Sequence, residues 1–246
     1  MTVPTASHQY FTTSTVTADN IGIATLTQNN GTYSVSSSTT EIIGITVAKF
    51  PGTGTTPTTL QNKSAPYGDS AFLYRPGQII GNQNFTLGVW VRKDSGNNYA
   101  NTTRSSFYYE RATGYGDTQL RVYETAGVRK SDYRTGTSDI YLSSLELTAD
   151  TWDFLTISYN SGTCKMYTNG VLTETQTGHN QNGSARYSYI GQSRDMYDCL
   201  KGYMYRMRIW NSTVLTDDEV LEAYNEDAPY FLSPRISITG VQSITM

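Results

Sequence analysis

The sequence predicts an all-β protein, a two-sheet antiparallel jelly-roll sandwich with one short helix near its C-terminal end. Three observations carry that prediction. Gly (21) and Tyr (20) are abundant among the 246 residues while charged residues are only 16%, the balance of turn-forming and strand-forming side chains a sandwich needs. Apolar and polar residues alternate with period two in several short stretches, FTLGVWVRKD (85–94) and TWDFLTISYN (151–160) being the clearest. Gly- and Asn-rich turn signals separate these stretches, and TVLTDDEVLEAY (213–224) is the most helix-like segment. The length suffices for a well-buried core within one all-β domain.

Taken in order, residues 1–50 are rich in Thr and Ser and read as an N-terminal arm. They hold a hairpin in NIGIATLTQNNGTYSVSSS, turning at Asn30-Gly31, and a further strand in EIIGITVAKF. PGTGTTPTTLQNKSAPYGDS (51–70) is a Pro/Gly/Thr loop without periodicity and reads as a linker. The jelly roll is expected over 71–231. In its first clear strand Phe85, Leu87, Val89 and Val91 face one way, and Thr86, Trp90 and Arg92 the other. SSFYYER, TQLRVYE and DIYLSSLEL continue the series, and TWDFLTISYN turns Leu155, Ile157 and Tyr159 inward. CKMYTNGVLTET (164–175) is two strands folded back at Asn169-Gly170. RYSYIGQS follows, then LKGYMYRMRIWN, where strict alternation puts Tyr203, Tyr205, Met207 and Ile209 on one face and Met204, Arg206, Arg208 and Trp210 on the other. Leu155, Ile157, Met207 and Ile209 are expected in the core. RISITGVQSITM falls in a strand-like tail, 232–246.

The helix carries a capping box, with Thr216 as N-cap and Glu219 three residues on. Leu215 and Val220 are placed for a hydrophobic staple, and Asp217, Asp218 and Glu219 put negative charge on the positive helix end. Val220, Leu221 and Tyr224 form its apolar stripe. The carboxylates of this segment are thus helix-end residues before they are anything chemical.

Cys164 and Cys199 each open a strand, as a cross-strand bridge or as two buried thiols. His8 and His179 lie far apart, with no spacing that suggests zinc or a Ser-His-Asp arrangement. A net charge of -3 and a pI near 5.4 give no electrostatic footprint for nucleic acid. No apolar run approaches the ~20 residues of a membrane helix. MTVPTASHQYFTTST has neither a basic nor an apolar signal region, so no secretory signal is expected.

The order of these pieces resembles the laminin-G-like, concanavalin A-like lectin/glucanase superfamily. The resemblance is carried by FTLGVWVRK, LTADTWDFLTISYNSGTCKMYTNGVLTET, YSYIGQS and LKGYMYRMRIWNSTVLTDDEVLEAY, spanning roughly residues 70–225. It implies a jelly roll whose short helix plugs one end. Where the family's closing strand often reads Asp-Glu, this chain has Tyr205-Arg206, so any role of that acidic pair is in doubt here. The resemblance also implies calcium at the sandwich rim. Asp195 and Asp198 in GQSRDMYDC are the metal candidates for Ca2+, with Asp117 in TGYGDT beside them; solvated loop acids are the alternative.

Glucanases need two carboxylates across a cleft, and their E-x-D-x-x-E strand is absent; the nearest approach, DDEVLE (217–222), sits on the capped helix. No enzymatic activity is expected. Glycan binding rests on loop residues that pair aromatic rings with planar polar groups: Tyr115 with Asp117, Tyr133 with Arg134, and Arg194 with Tyr197. The third class is an assembly protein. A recognition fold without an export signal fits a virion-surface component, and Thr/Ser-rich and strand-like extensions suit strand addition to neighbouring subunits. Sequence reasoning therefore expects a non-enzymatic structural or recognition protein at a virion surface, partnered by other subunits or copies of itself. The alternative is a lectin module binding cell-surface glycan, reaching the outside by a non-classical route.

Overall fold

The computed structural model describes residues 2–13, 15, 17–20, 26–28, 34–42, 45–51, 72–81, 83–94, 105–112, 118–125, 128–134, 150–178, 185–192 and 200–232. The first strands are β1 (His8–Tyr10), β2 (Thr27–Gln28), β3 (Ser36–Ile42), β4 (Ile45–Pro51), β5 (Leu73–Pro76) and β6 (Phe85–Lys93). Then come β7 (Ser105–Ala112), β8 (Thr118–Thr125), β9 (Val128–Arg134), β10 (Trp152–Asn160), β11 (Thr163–Thr168), β12 (Val171–Thr177), β13 (Ala185–Ile190) and β14 (Lys201–Asn211). Two helices, α1 (Asp217–Asn225) and α2 (Ala228–Leu232), follow.

The strands form two antiparallel sheets, as expected. The eight-stranded sheet runs β12-β11-β10-β6-β14-β4-β3 with β1 also on β14, and the six-stranded sheet runs β2-β5-β13-β7-β8-β9. The core lies between them. Phe85, Leu87, Val89 and Val91 of β6 pack there with Leu155 and Ile157 of β10, facing Leu73, Tyr108, Leu120 and Ile190 of the other sheet. Leu155, Ile157, Met207 and Ile209 are all at most 1% exposed, each stabilising the fold by roughly 1.5–3 kcal/mol. Asn169 and Gly170 both have positive φ, 52° and 79°, the conformation a two-residue hairpin turn demands. Cys164 is a free, buried thiol, its pKa pushed up to about 12 by burial, and Cys199 lies outside the described residues.

Strict alternation fails in β14. The register jumps between Tyr205, opposite Trp90, and Arg208, opposite Gly88, because Arg206 sits in the left-handed region at φ 46°. This bulge inserts one residue and resets the phase. Met204 therefore joins Met207 and Ile209 in the core, while Tyr203 and Tyr205 pack outside with Trp152 and Phe231.

The strands before residue 51 lie within both sheets: β1 and β4 pair with β14, and β2 with β5. Tyr10 and Phe11 are core residues, and Trp210 Nε1 donates to the Pro4 carbonyl at 2.7 Å. The segment read as an arm thus has its partners in this same chain. Asn30-Gly31, the stretch from 52 to 71, DIYLSSLEL and the tail from 233 on lie outside the described residues.

The helix begins as its cap dictates. Thr216 Oγ1 accepts from the Glu219 amide at 3.2 Å, and Glu219 Oε2 accepts from the Thr216 amide at 2.8 Å. Its placement differs from an end plug: α1 and α2 lie on the outer face of the eight-stranded sheet. There Trp90, Phe154, Tyr167 and Trp210 point away from the core and need a cover. Val220 and Ala223 make the buried stripe; Leu221 is 42% exposed, its expected place taken by the smaller Ala223. The second helix brings Phe231 onto Trp90, ring centroids 4.2 Å apart. No helix among the described residues is long and apolar enough to cross a membrane.

Candidate functional site

A sandwich has two outer faces, and on the one formed by the eight-stranded sheet the two helices pack. Beneath the elbow between α1 and α2, Arg206 Nη1 donates to Asp227 at 2.7 Å and Arg208 Nη1 to Glu226 at 2.6 Å. The polarity is the reverse of an acidic closing strand: β14 supplies the cations and the helices the anions. Burial pushes the Asp227 carboxyl up against the opposing pull of Arg206. These charges fasten the cover.

The other outer face, on the six-stranded sheet, carries a cluster of aromatic rings. Strand register puts Thr27, Tyr74, Tyr189, Tyr109, Gln119 and Arg134 in one row across all six strands, with Pro76, Tyr187 and Arg111 in the next. Tyr189 is the hub. Its ring centroid lies 6.0 Å from each of Phe72, Tyr109 and Tyr187. Phe72 and Tyr109 are 1% exposed and form the closed base, while Tyr187 at 38% and half-buried Tyr74 reach solvent.

The platform is braced from inside. Glu110, 3% exposed, accepts from the amides of Ile79 (2.6 Å), Ile80 (2.7 Å) and Gly81 (3.1 Å), and from the Tyr108 hydroxyl at 2.6 Å. The Ser188 hydroxyl, between Tyr187 and Tyr189, donates to the same carboxylate at 3.1 Å. Burial beside Glu110 pushes the Tyr108 phenol well above its ordinary range, so it remains a donor. One carboxylate thus ties β7, β13 and the turn after β5 together, holding the tyrosines on the far side in place.

Of the residues singled out from sequence, Tyr115, Asp117, Arg194, Asp195, Tyr197 and Asp198 lie outside the described residues. Of Tyr133 the backbone is described, opposite Leu120 in the β8–β9 ladder. The flanking strand ends fall into two groups. Ala112, Thr118 and Arg134 bound one end of the sheet, the end of Tyr187. Ile190, opposite Tyr108 and Leu73, marks the other end, from which the chain runs on to Arg194.

Sequence reasoning missed Phe72, Tyr74, Tyr109, Tyr187 and Tyr189. Their signal was the i, i+2 aromatic spacing of Phe72-x-Tyr74 and Tyr187-x-Tyr189, lost among 20 tyrosines.

For calcium, Gln192 is the last described residue before Asp195 and Asp198 in the chain. It is 2% exposed and its Oε1 has no hydrogen-bond partner. One amide oxygen falls far short of the about six to eight oxygens calcium takes. Among the described residues no three His, Cys, Asp or Glu side chains converge. The described residues therefore do not make up a calcium site.

Residues 67–221 match the family model described as the concanavalin A-like lectin/glucanases superfamily. No curated protein sequence matches the chain. Among solved structures it is similar to domain 4 of an extracellular GH43 arabinanase from Geobacillus stearothermophilus, in complex with arabinotriose. There the TM-score is 0.64 and the identity 14%, over 88% of this chain and 97% of that one. It is also similar to the receptor-binding domain of botulinum neurotoxin type G, with TM-score 0.60 and 17% identity over 91% of this chain and 52% of that one. A third likeness is to Trypanosoma rangeli sialidase, with TM-score 0.58 and 12% identity over 90% of this chain and 33% of that one. The chain spans about half of the neurotoxin domain and a third of the sialidase. At these identities the likeness is one of fold.

Proposed function

Because the chain belongs to the concanavalin A-like lectin/glucanases superfamily, we propose that it is a glycan-binding module whose sugar-contacting surface is the outer face of the six-stranded sheet. The observation that carries this reading is the aromatic cluster ending in solvent at Tyr74 and Tyr187, on a sheet whose opposite counterpart is sealed by helices. A sugar ring presents a face of C–H groups that packs on an aromatic ring while its hydroxyls bond to polar neighbours. Two fold neighbours support it by what they bind: the arabinanase domain was solved with arabinotriose, and the neurotoxin domain is a receptor-binding one.

The module acts without catalysis. Glycoside hydrolysis requires two carboxylates free to act as acid and base or nucleophile. The described buried carboxylates are otherwise engaged: Glu110 by backbone amides, Asp19 by His8 and the Gln9 amide, and Asp227 by Arg206. Nothing in the fold or its likenesses supports the virion-surface role. The strands before residue 51, whose strand addition to neighbours it invoked, are paired within the chain.

A glycan array with the wild-type chain and the Tyr74→Ala/Tyr187→Ala double variant tests the proposal. Binding should appear on the array and fall at least about tenfold in the variant, with the β-sheet circular dichroism unchanged. Undiminished binding by a folded double variant would move the site elsewhere, and no binding by the wild type would remove it.

A further inference from the structure

The two helices over the eight-stranded sheet are held very unequally. The first, α1, is capped, is clasped to β11 through Asp217, and buries Val220 and Ala223. The elbow after it is clamped, Glu226 to Arg208 and Asp227 to Arg206. The second, α2, has five residues and buries only Ala228 outright, while Tyr230 and Leu232 are each more than half exposed. Its hold on the sheet runs through Ala228 and the half-buried Phe231. The Phe231 ring stacks on Trp90, centroids 4.2 Å apart and planes 20° apart, and meets Trp152 at 4.9 Å and Tyr205 at 5.5 Å, both tilted. Strand register explains why these rings meet. Phe154, Trp90 and Tyr205 stand opposite one another on β10, β6 and β14, and Trp152, Arg92 and Tyr203 form the next row of the same face. Two polar groups of this cleft lack partners: Trp90 Nε1 and Trp152 Nε1 are buried, and neither has an acceptor among the described residues. A buried indole N–H ordinarily finds an acceptor, and the side chain of Phe231 offers none.

We propose that the cleft of Trp90, Trp152 and Tyr205 is a second ligand site, that α2 is its lid, and that Phe231 occupies the place of a sugar ring. A sugar supplies what Phe231 supplies, an apolar face for the Trp90 indole. It adds what Phe231 lacks, oxygens around the rim that accept from indole N–H groups. The ligand class is a neutral oligosaccharide, because the charges bordering the cleft are already matched. Arg92 rests over the Tyr203 ring and donates to Glu41 at 2.7 Å and to Asp94 at 3.1 Å, and Arg206 is taken by Asp227. The site does not depend on the open face and differs from it in being gated. Ligand and Phe231 compete for one place, so the apparent affinity is the intrinsic one reduced by the fraction of time α2 is away. The clamped elbow lets α2 swing alone while α1 stays on Trp210 and the rest of the sheet.

The test uses the whole chain on an array of neutral oligosaccharides, with Tyr74→Ala/Tyr187→Ala in the background to silence the open face. Adding Phe231→Ala should raise binding by about tenfold or more, because the competitor for the place is gone. Acrylamide should also quench the tryptophan fluorescence more strongly. Trp152→Phe added to that chain keeps a ring and removes the N–H donor, and should take most of the gain away. No gain in a variant whose circular dichroism is unchanged overturns the proposal, and so does a gain that survives Trp152→Phe. Should Phe231→Ala fail to fold, hydrogen exchange on the unaltered chain decides. The Tyr230 amide, bonded to the Asp227 carbonyl, should then exchange at least about tenfold faster than the Val220 amide, bonded to the Thr216 carbonyl. Equal protection removes the lid. Binding that appears only with Phe231→Ala, and not in the unaltered chain, would keep this site and sink the open face.

Discussion

The two outer faces of the sandwich begin from the same material and end differently. Each carries aromatic rings on the side of a strand that points away from the core. On the eight-stranded sheet Trp90 and Trp210 are at most 1% exposed, because α1 and α2 bring Val220, Ala223 and Phe231 down onto them. On the six-stranded sheet Phe72 and Tyr109 are equally buried, yet the cluster runs out to Tyr74 and Tyr187 in solvent. Outward aromatic residues thus serve either as a second core or as a contact surface, and the element packed over them decides which. Trp90 and Trp210 lie under the helices together with Tyr167, whereas the rings that reach solvent on the other face, Tyr74 and Tyr187, each carry a hydroxyl for water or ligand.

The comparison breaks most readily at its closed face. Trp90→Ala removes a ring stacked on Phe231 and Tyr224, and should cost about 3–5 kcal/mol in denaturant unfolding. Tyr187→Ala, on the open face, should change stability by no more than about 0.5 kcal/mol while reducing glycan binding. Similar stability losses for the two would mean that both faces are structural. Glu110→Gln is next: it removes the charge that gathers three amides and two hydroxyls, and should cost about 1–3 kcal/mol by the same measurement. It should also weaken binding without touching the exposed rings, which would show that the open face depends on its inner brace.

The smallest effect sharpens how the helix is held. Lys165 and Tyr167 donate to Asp217 Oδ1 at 2.7 and 2.8 Å and hold its carboxyl below the ordinary carboxylate range. A depressed carboxylate stabilises the fold above its unfolded pKa near 4, and that contribution disappears as pH falls through the lower folded value. Asp217 is 53% exposed, so the contribution belongs with surface pairs, under about 1 kcal/mol. Asp217→Asn should flatten the acid limb of the stability profile by that amount, and a larger flattening would make the contact a principal anchor of α1.

What was legible in the sequence was local. The phase of β6 and β10, the Asn169-Gly170 turn and the Thr216–Glu219 cap depend on residues a few positions apart. The bulge in β14 escaped because its cause lies outside the strand's own pattern: Arg206 twists into the left-handed region with its amide against the Phe11 carbonyl and its guanidinium on Asp227. The aromatic platform escaped for a related reason. Tyr74 and Tyr189 are neighbours only through a register joining strands more than a hundred residues apart, and composition alone made any one tyrosine inconspicuous. The candidate loops at 113–117 and 193–198 rested on residue type without register, and those residues lie outside what the structure describes.

The position of β14 has a consequence for how the chain is made. Its ladder partners β1, β4 and β6 all precede it, and residue 8 pairs with residue 209. A nascent chain therefore carries β1 without its β14 partner until residue 209 has left the ribosome, and the helices that seal the tryptophans emerge later still. Translation at about 5–20 residues per second holds that sheet open for roughly ten seconds or more. Such a wait calls for chaperone shielding of the early strands, and it makes premature termination near residue 200 a route to aggregation rather than to a shorter folded protein.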